Sequence, residues 1–177
     1  MSQIQLHQEQ NKNKPPYSVQ RNQWLNSDDR KLFTYCVMEN FQASGPGGQK
    51  RNRKFSAVRI THKSTNLSVI STETRSRSNN LRIALKKLRI KLAIEIRGPN
   101  ISLNRLKIAL SNPMYPLWVA LLFDTLWKYK FRISETAESL NTSTGKLIKL
   151  IARDSNIWKT INYNRENFEL KKLTFSK

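Results

Sequence analysis

The 177-residue sequence is poor in cysteine, histidine, glycine and acidic side chains, and each shortage closes a class of protein. One cysteine, Cys36, cannot staple a secreted fold or build a cysteine-based zinc site. Two histidines, His7 and His62, are too few for a histidine-rich metal centre, so neither metal nor cofactor is expected. The longest apolar run, residues 117–123, is far short of the about 18 residues that suggest a membrane span. Residues 1–14 are rich in Gln and Asn and lack an apolar h-region or an Arg-rich amphipathic stripe, so no export or transit signal is read. A reduced, soluble, cytoplasmic protein without a membrane partner is the expectation.

Acid is the most informative shortage: 12 Asp+Glu stand against 32 Lys+Arg, a formal net charge of +20. The imbalance is concentrated. Residues 42–107 carry 16 bases and 2 acids, a net +14, whereas residues 1–41 carry +1 and residues 108–177 carry +5. A solvated face usually intersperses both signs, so this third of the chain points to a polyanionic partner, nucleic acid before all others.

The pattern divides the chain into a flexible polar lead (1–23), a mixed region (24–98) and a helical region (99–177). Ser27 offers an N-cap, with Asp28 and Asp29 in the first turn of a short helix reaching Tyr35. Residues 36–41 read as a strand entering the loop Ser44-Gly45-Pro46-Gly47-Gly48-Gln49. Residues 55–62 and 67–72 are β-prone runs joined by Lys63-Ser64-Thr65-Asn66, a hairpin signature. From Ser78 the period becomes helical: Leu81, Leu85, Leu88 and Leu92 share a face, with Arg82, Lys86, Lys87, Arg89 and Lys91 around it. Ile83, Ile90 and Ile94 form a second stripe, from which docking of the C-terminal part on this helix is expected. Gly98-Pro99 ends it.

Beyond it, helices are expected over 103–110, over 117–129 after Pro113 and Pro116, from a Ser134 cap to Leu140, and from a Ser143 cap to Arg153. Ala137, Leu140, Leu147 and Leu150 have the apolar spacing of a helix-turn-helix, with Asn141 at the left-handed turn position. A generic three- or four-helix bundle gives the same pattern. The fold class is therefore α+β: a small sheet with a hairpin and a glycine-rich loop on a long helix, then a helical bundle.

Taken alone, Gly47-Gly48-Gln49 is weak, since such a tripeptide arises by chance in roughly one chain of this length in thirty. No Gly-Lys-Ser/Thr follows at phosphate-loop spacing, and Thr144-Gly145-Lys146-Leu147 fails the same test. The surroundings change its weight. Asn52, Ala57-Val58-Arg59-Ile60, His62, Arg75-Ser76, Asn80, Ala84 and Leu88 follow the loop in a register that resembles the catalytic domain of class I peptide chain release factors. Short release-factor-like proteins share that domain, and the flanking regions look like one bacterial family of them. The likeness spans residues 36–92.

The resemblance implies a ribosome-dependent peptidyl-tRNA hydrolase whose partners are the large-subunit rRNA and peptidyl-tRNA. It implies that Gly47, Gly48 and Gln49 enter the peptidyl transferase centre, where the Gln49 backbone N–H donates to oxygen that develops charge. The Gln49 side chain would position water, and a glutamine methyltransferase acting on Gln49 is a further implied partner. Lys50, Arg51, Arg53 and Lys54, with Arg59 and Arg75, suit RNA phosphates, and Asn52 suits loop ordering. His62 reads as a strand-end structural residue and Cys36 as a small core hydrophobe.

Departures shape the expectation. Codon-reading release factors carry a Pro-x-Thr or Ser-Pro-Phe tripeptide in a separate domain; neither occurs here, and the length leaves little room for one. The strongly basic tail of single-domain rescue hydrolases is also missing, with only Lys171, Lys172 and Lys177 at the end. Arg77 and Leu81 replace a glutamine and an arginine common in the family. Codon-independent release is the leading expectation. A non-catalytic rRNA- or ribosome-binding protein is the alternative, and the charge distribution argues against a helix-turn-helix DNA regulator.

Overall fold

The computed structural model describes residues 15–40, 56–104 and 106–174 and divides the chain into two units, Met1–Pro99 and Asn100–Lys177. The class is α+β as read, with three strands and seven helices among the described residues. Two helices open the first unit, α1 (Arg21–Asn26) and α2 (Asp29–Thr34). Strands β1 (Cys36–Asn40), β2 (Val58–His62) and β3 (Ser68–Ser71) follow, then the long α3 (Arg77–Glu95).

The sheet is antiparallel in the order β1-β2-β3, with Cys36 opposite His62, Asn40 opposite Val58, and Val58 opposite Ser71. Along β2 the side chains alternate, Val58, Ile60 and His62 being buried and Arg59 and Thr61 half-exposed. The buried face packs on α3, whose Ala84, Leu85, Leu88, Leu92 and Ala93 supply the apolar side of the core. Trp24, Leu25 and Leu32 close it from α1 and α2. The hairpin turns as the sequence predicts: Asn66 takes φ 56° and its N–H donates to the His62 carbonyl at 2.8 Å.

Three details depart from the sequence reading. The cap of α2 is Asp28, whose carboxylate accepts from Lys31 N at 2.7 Å; Ser27 instead closes α1, its hydroxyl donating to the Trp24 carbonyl. Helix α1 was not anticipated. Residues 15–23, read as part of a flexible lead, pair Tyr17 with Arg97 and bury Arg21 completely. The Arg21 guanidinium donates to the carbonyls of Ile96 and Pro99. Gly98 makes that approach possible, because a Cβ there would stand 2.7 Å from Arg21 Nε. The third detail is Arg89, read among the basic residues around the leucine face of α3. It is 8% exposed, donating to Asp29 at 2.6 Å and to the Ser27 carbonyl at 2.8 Å.

In the second unit α4 (Tyr115–Lys128), α5 (Ile133–Ser139), α6 (Thr144–Ile151) and α7 (Ser155–Asn167) follow one another. Pro116 sits in the first turn of α4, where its missing N–H costs no helical bond. Phe123, Trp127, Phe131 and Phe168 form one aromatic cluster with centroids 5.3–6.4 Å apart. Asn141 takes φ 51° between α5 and α6, and Ser143 caps α6, as read. Ser134 does not cap α5; the cap position is Arg132, which makes no side-chain cap bond. The helix expected over 103–110 is absent among its described residues. A segment of that length forms too few helical bonds to offset nucleation without packing.

Candidate functional site

Strands β1 and β2 end together, Asn40 lying opposite Val58, so the connection between them leaves and re-enters the sheet at neighbouring positions. That connection holds Gly47, Gly48, Gln49, Lys50, Arg51, Asn52, Arg53 and Lys54, all of which lie outside the described residues. What the structure describes is the stem. β3 ends at the same edge, Ser71 opposite Val58, and the chain from Ser71 to Arg77 crosses there into α3.

One buried amide fastens this end. Asn80, in the first turns of α3, is 0% exposed and uses its full hydrogen-bonding capacity. Its Nδ2 donates to the Ser56 carbonyl at 2.7 Å and the Thr74 carbonyl at 2.9 Å. Its Oδ1 accepts from Thr74 N at 2.9 Å and Thr74 Oγ1 at 3.0 Å. The strand leaving the loop is thereby tied to the start of α3 at a fixed register. The sequence marks Asn80 only as a motif position, because its partner Ser56 lies 24 residues away.

Much of the local positive charge proves structural. Lys87 donates to the Ile70 carbonyl and to Glu73, and Lys91 to the Ser68 carbonyl, so two lysines of α3 cover carbonyls of the edge strand. Lys63 donates to the Thr34 carbonyl and Arg97 to those of Ala93 and Ile94. Of the two expected RNA-contacting residues that are described, Arg59 faces away from α3 and pairs with its cross-strand partner Glu39 at 3.6 Å. Arg75 is exposed beside Thr74, next to the strand through which the loop returns. Arg77, Arg82 and Lys86 are exposed as well, and a shallow groove of about 290 Å³ runs along Thr74, Asn79, Arg82, Ile83 and Lys86.

Titratable groups near the stem are unsuited to proton transfer. Glu73 accepts from Lys87 and Ser71, which hold its carboxyl down at about 2, so it is a bound anion at neutral pH. His62 sits at the opposite end of β2, on the order of 13 Å of strand from Val58. It is wholly buried edge-to-face against Trp24 at 4.3 Å, its Nδ1 within 3.0 Å of Thr65 Oγ1, and burial lowers its pKa. Cys36, opposite it, donates to the Leu32 carbonyl, and burial raises its pKa. Both are structural, as read. The described residues contain no group of three or more His, Cys, Asp or Glu able to hold a metal, and no helix long and apolar enough to cross a membrane.

Comparison with known proteins falls on this part of the chain. Residues 34–108 match the RF-1 domain. Peptide chain release factor 1 of Malacoplasma penetrans is 44% identical over 68 residues, 38% of this chain and 17% of that protein. Peptide chain release factor 2 of Staphylococcus haemolyticus is 40% identical over 68 residues, again 38% of this chain and 17% of the relative. The probable mitochondrial peptide chain release factor 1 of Caenorhabditis elegans is 45% identical over 51 residues, 29% of this chain and 13% of that protein. The chain thus spans less than a fifth of the length of these relatives. The matched segment runs from the end of α2 through the sheet and α3, with the stem and its Asn80 anchor inside it, and over this segment the chain is similar to the catalytic domains of class I release factors.

Proposed function

We propose that the protein hydrolyses the ester of peptidyl-tRNA on the large ribosomal subunit, independently of a codon, in peptide release or ribosome rescue. The observation that carries this reading is Gly47-Gly48-Gln49 standing, within an RF-1 domain, in the connection that leaves and re-enters one end of the sheet.

Each part has a physical role. Two residues without side chains let the backbone approach a crowded RNA surface. The Gln49 N–H, aimed at the oxygen that gains charge, stabilises the transition state, and the Gln49 side chain places the attacking water. Methylation of Gln49 by a glutamine methyltransferase would tune that placement. Lys50, Arg51, Arg53 and Lys54 neutralise rRNA and tRNA phosphates, Asn52 orders the loop, and Arg59 and Arg75 extend the contact along the stem. The stem, fastened by Asn80, holds the loop's base in register.

The test is release of labelled peptide from ribosomes carrying peptidyl-tRNA, with a stop codon or an empty mRNA channel in the decoding site. Release on both is expected, falling by about 10²-fold or more in Gly48→Ala and less in Gln49→Ala. Full release by Gly47→Ala and Gly48→Ala variants that still bind ribosomes would sink the proposal. Ribosome binding with no release by the wild-type protein would favour the non-catalytic RNA-binding alternative.

A further inference from the structure

The second unit presents a helix-turn-helix whose outward face has no part in the reaction proposed above. Helices α5 and α6 bury Ala137 and Leu147 and are joined by the left-handed turn at Asn141. On α6, Leu147 and Ile151 point inward, leaving Thr144, Gly145, Lys146 and Lys149 exposed. No close contact within the unit requires glycine at position 145. Gly145 lies inside the helix, its φ is not in the left-handed region, and a Cβ added there would meet nothing within 4 Å. Glycine weakens a helix relative to alanine, so its presence fits a neighbour outside the unit that approaches the backbone closely.

The chemistry around it narrows that neighbour. Lys146 and Lys149 lie one turn apart on the same side of the helix. Among the acids of the unit, Glu135 pairs with Arg132 and Glu166 with Lys172. Asp154, the acid nearest in sequence, accepts from the Tyr115 hydroxyl at 2.8 Å and from the N–H groups of Asn156 and Ile157. Both carboxylate oxygens of Asp154 are thus bonded within the unit. The exposed side chains of α6 itself include two ammonium groups and no carboxylate. The face carries hydroxyl and ammonium groups, which suit phosphates, and no Arg, Asn or Gln of the kind that reads base edges in pairs.

We propose that the outward face of α6, formed by Thr144, Gly145, Lys146 and Lys149, docks on the sugar–phosphate backbone of folded RNA without reading its sequence. The choice of RNA over DNA rests on the release reading of the first unit. Because the A-form major groove is too narrow to admit a helix, α6 lies across phosphates rather than within a groove.

The test is fluorescence anisotropy of the full chain with a labelled RNA duplex and a DNA duplex of the same sequence, over a salt series. The Lys146→Gln/Lys149→Gln variant should weaken RNA binding roughly tenfold and reduce the log–log salt slope by about 1–2. Lys159→Gln/Lys171→Gln, the same charge loss elsewhere on the unit, should change affinity less than about twofold. Gly145→Gln should weaken RNA binding without lowering the melting temperature, since the space is open and Gln favours helix over Gly. Wild-type affinity in Gly145→Gln, equal loss in the control pair, or a loss confined to the DNA duplex would each overturn the proposal. The assay contains no ribosome, so absence of peptide release beside an intact effect at α6 would refute the release reading alone.

Discussion

Helix α3 of the first unit buries seven of its nineteen residues, and two of the seven are polar, Asn80 and Arg89. Helix α4 of the second unit buries ten of fourteen, from Tyr115 to Leu126, with Thr125 and Tyr115 bringing the polar groups. Burial of hydrocarbon is strong but non-directional, so it holds α4 in place while tolerating small shifts. Hydrogen bonds from a buried amide or guanidinium specify direction, and the cost of leaving them unmade fixes register. A sheet of three short strands has little apolar area with which to fix anything. The unit that holds the loop is thus the one clasped by polar groups: Asn80 to Ser56, Arg89 to Asp29, Lys87 and Lys91 to the edge strand.

The comparison predicts a ranking of effects. Phe123, wholly buried and edge-to-face with Phe131, should cost the most when truncated: Phe123→Ala is expected to remove about 3–5 kcal/mol of the second unit's stability. Urea unfolding followed by hydrogen exchange at the α4 amides measures it. A loss below about 1 kcal/mol would mean that hydrocarbon does not hold this unit.

Asn80→Ala comes next. It leaves the Ser56 and Thr74 carbonyls and the Thr74 N–H without their partner, for an expected loss of about 2–3 kcal/mol. Directionality gives a sharper sign than the total: exchange at the Thr74 amide should accelerate first. If that amide keeps its protection while the unit as a whole loses stability, Asn80 acts by filling space and the contrast with α4 fails.

The same contrast explains what could be read in the sequence. The hairpin turn at Asn66, the left-handed Asn141 and the Ser143 cap are set by neighbours within a few residues, and all three were legible. The leucine spacing of α3 was legible for the same reason. Helix α1 was not, because its stability comes from Trp24 and Leu25 in the core and from Arg21 reaching carbonyls 75 and 78 residues away. Arg89 looked like surface charge because its partner Asp29 stands 60 residues off. At the candidate site, residue type and spacing revealed the glycine pair and its register, whereas Asn80's work depends on contacts that no local pattern encodes. Charge counting overstated the free basic surface, since Lys63, Lys87, Arg89, Lys91 and Arg97 are bonded internally.

The smallest effect tests the polar clasp through pH. Lys87 and Ser71 bond the Glu73 carboxylate and hold its pKa at about 2 rather than 4.5. A carboxyl with a depressed folded-state pKa adds stability that is complete above pH 4.5 and is lost as pH falls through about 2. The pair is more than a third exposed, at 42% and 45%, so water screens it and the contribution at neutral pH should stay below about 1 kcal/mol. The stability difference between the wild type and Glu73→Gln, measured by urea unfolding, should therefore be flat above pH 4.5 and shrink toward pH 2. A difference that persists unchanged at the acid end would assign the effect to packing of the Glu73 stem. In the second unit the Phe123→Ala loss should show no matching decline over the same range, because no ionisable group faces that ring within its cluster of Trp127, Phe131 and Phe168.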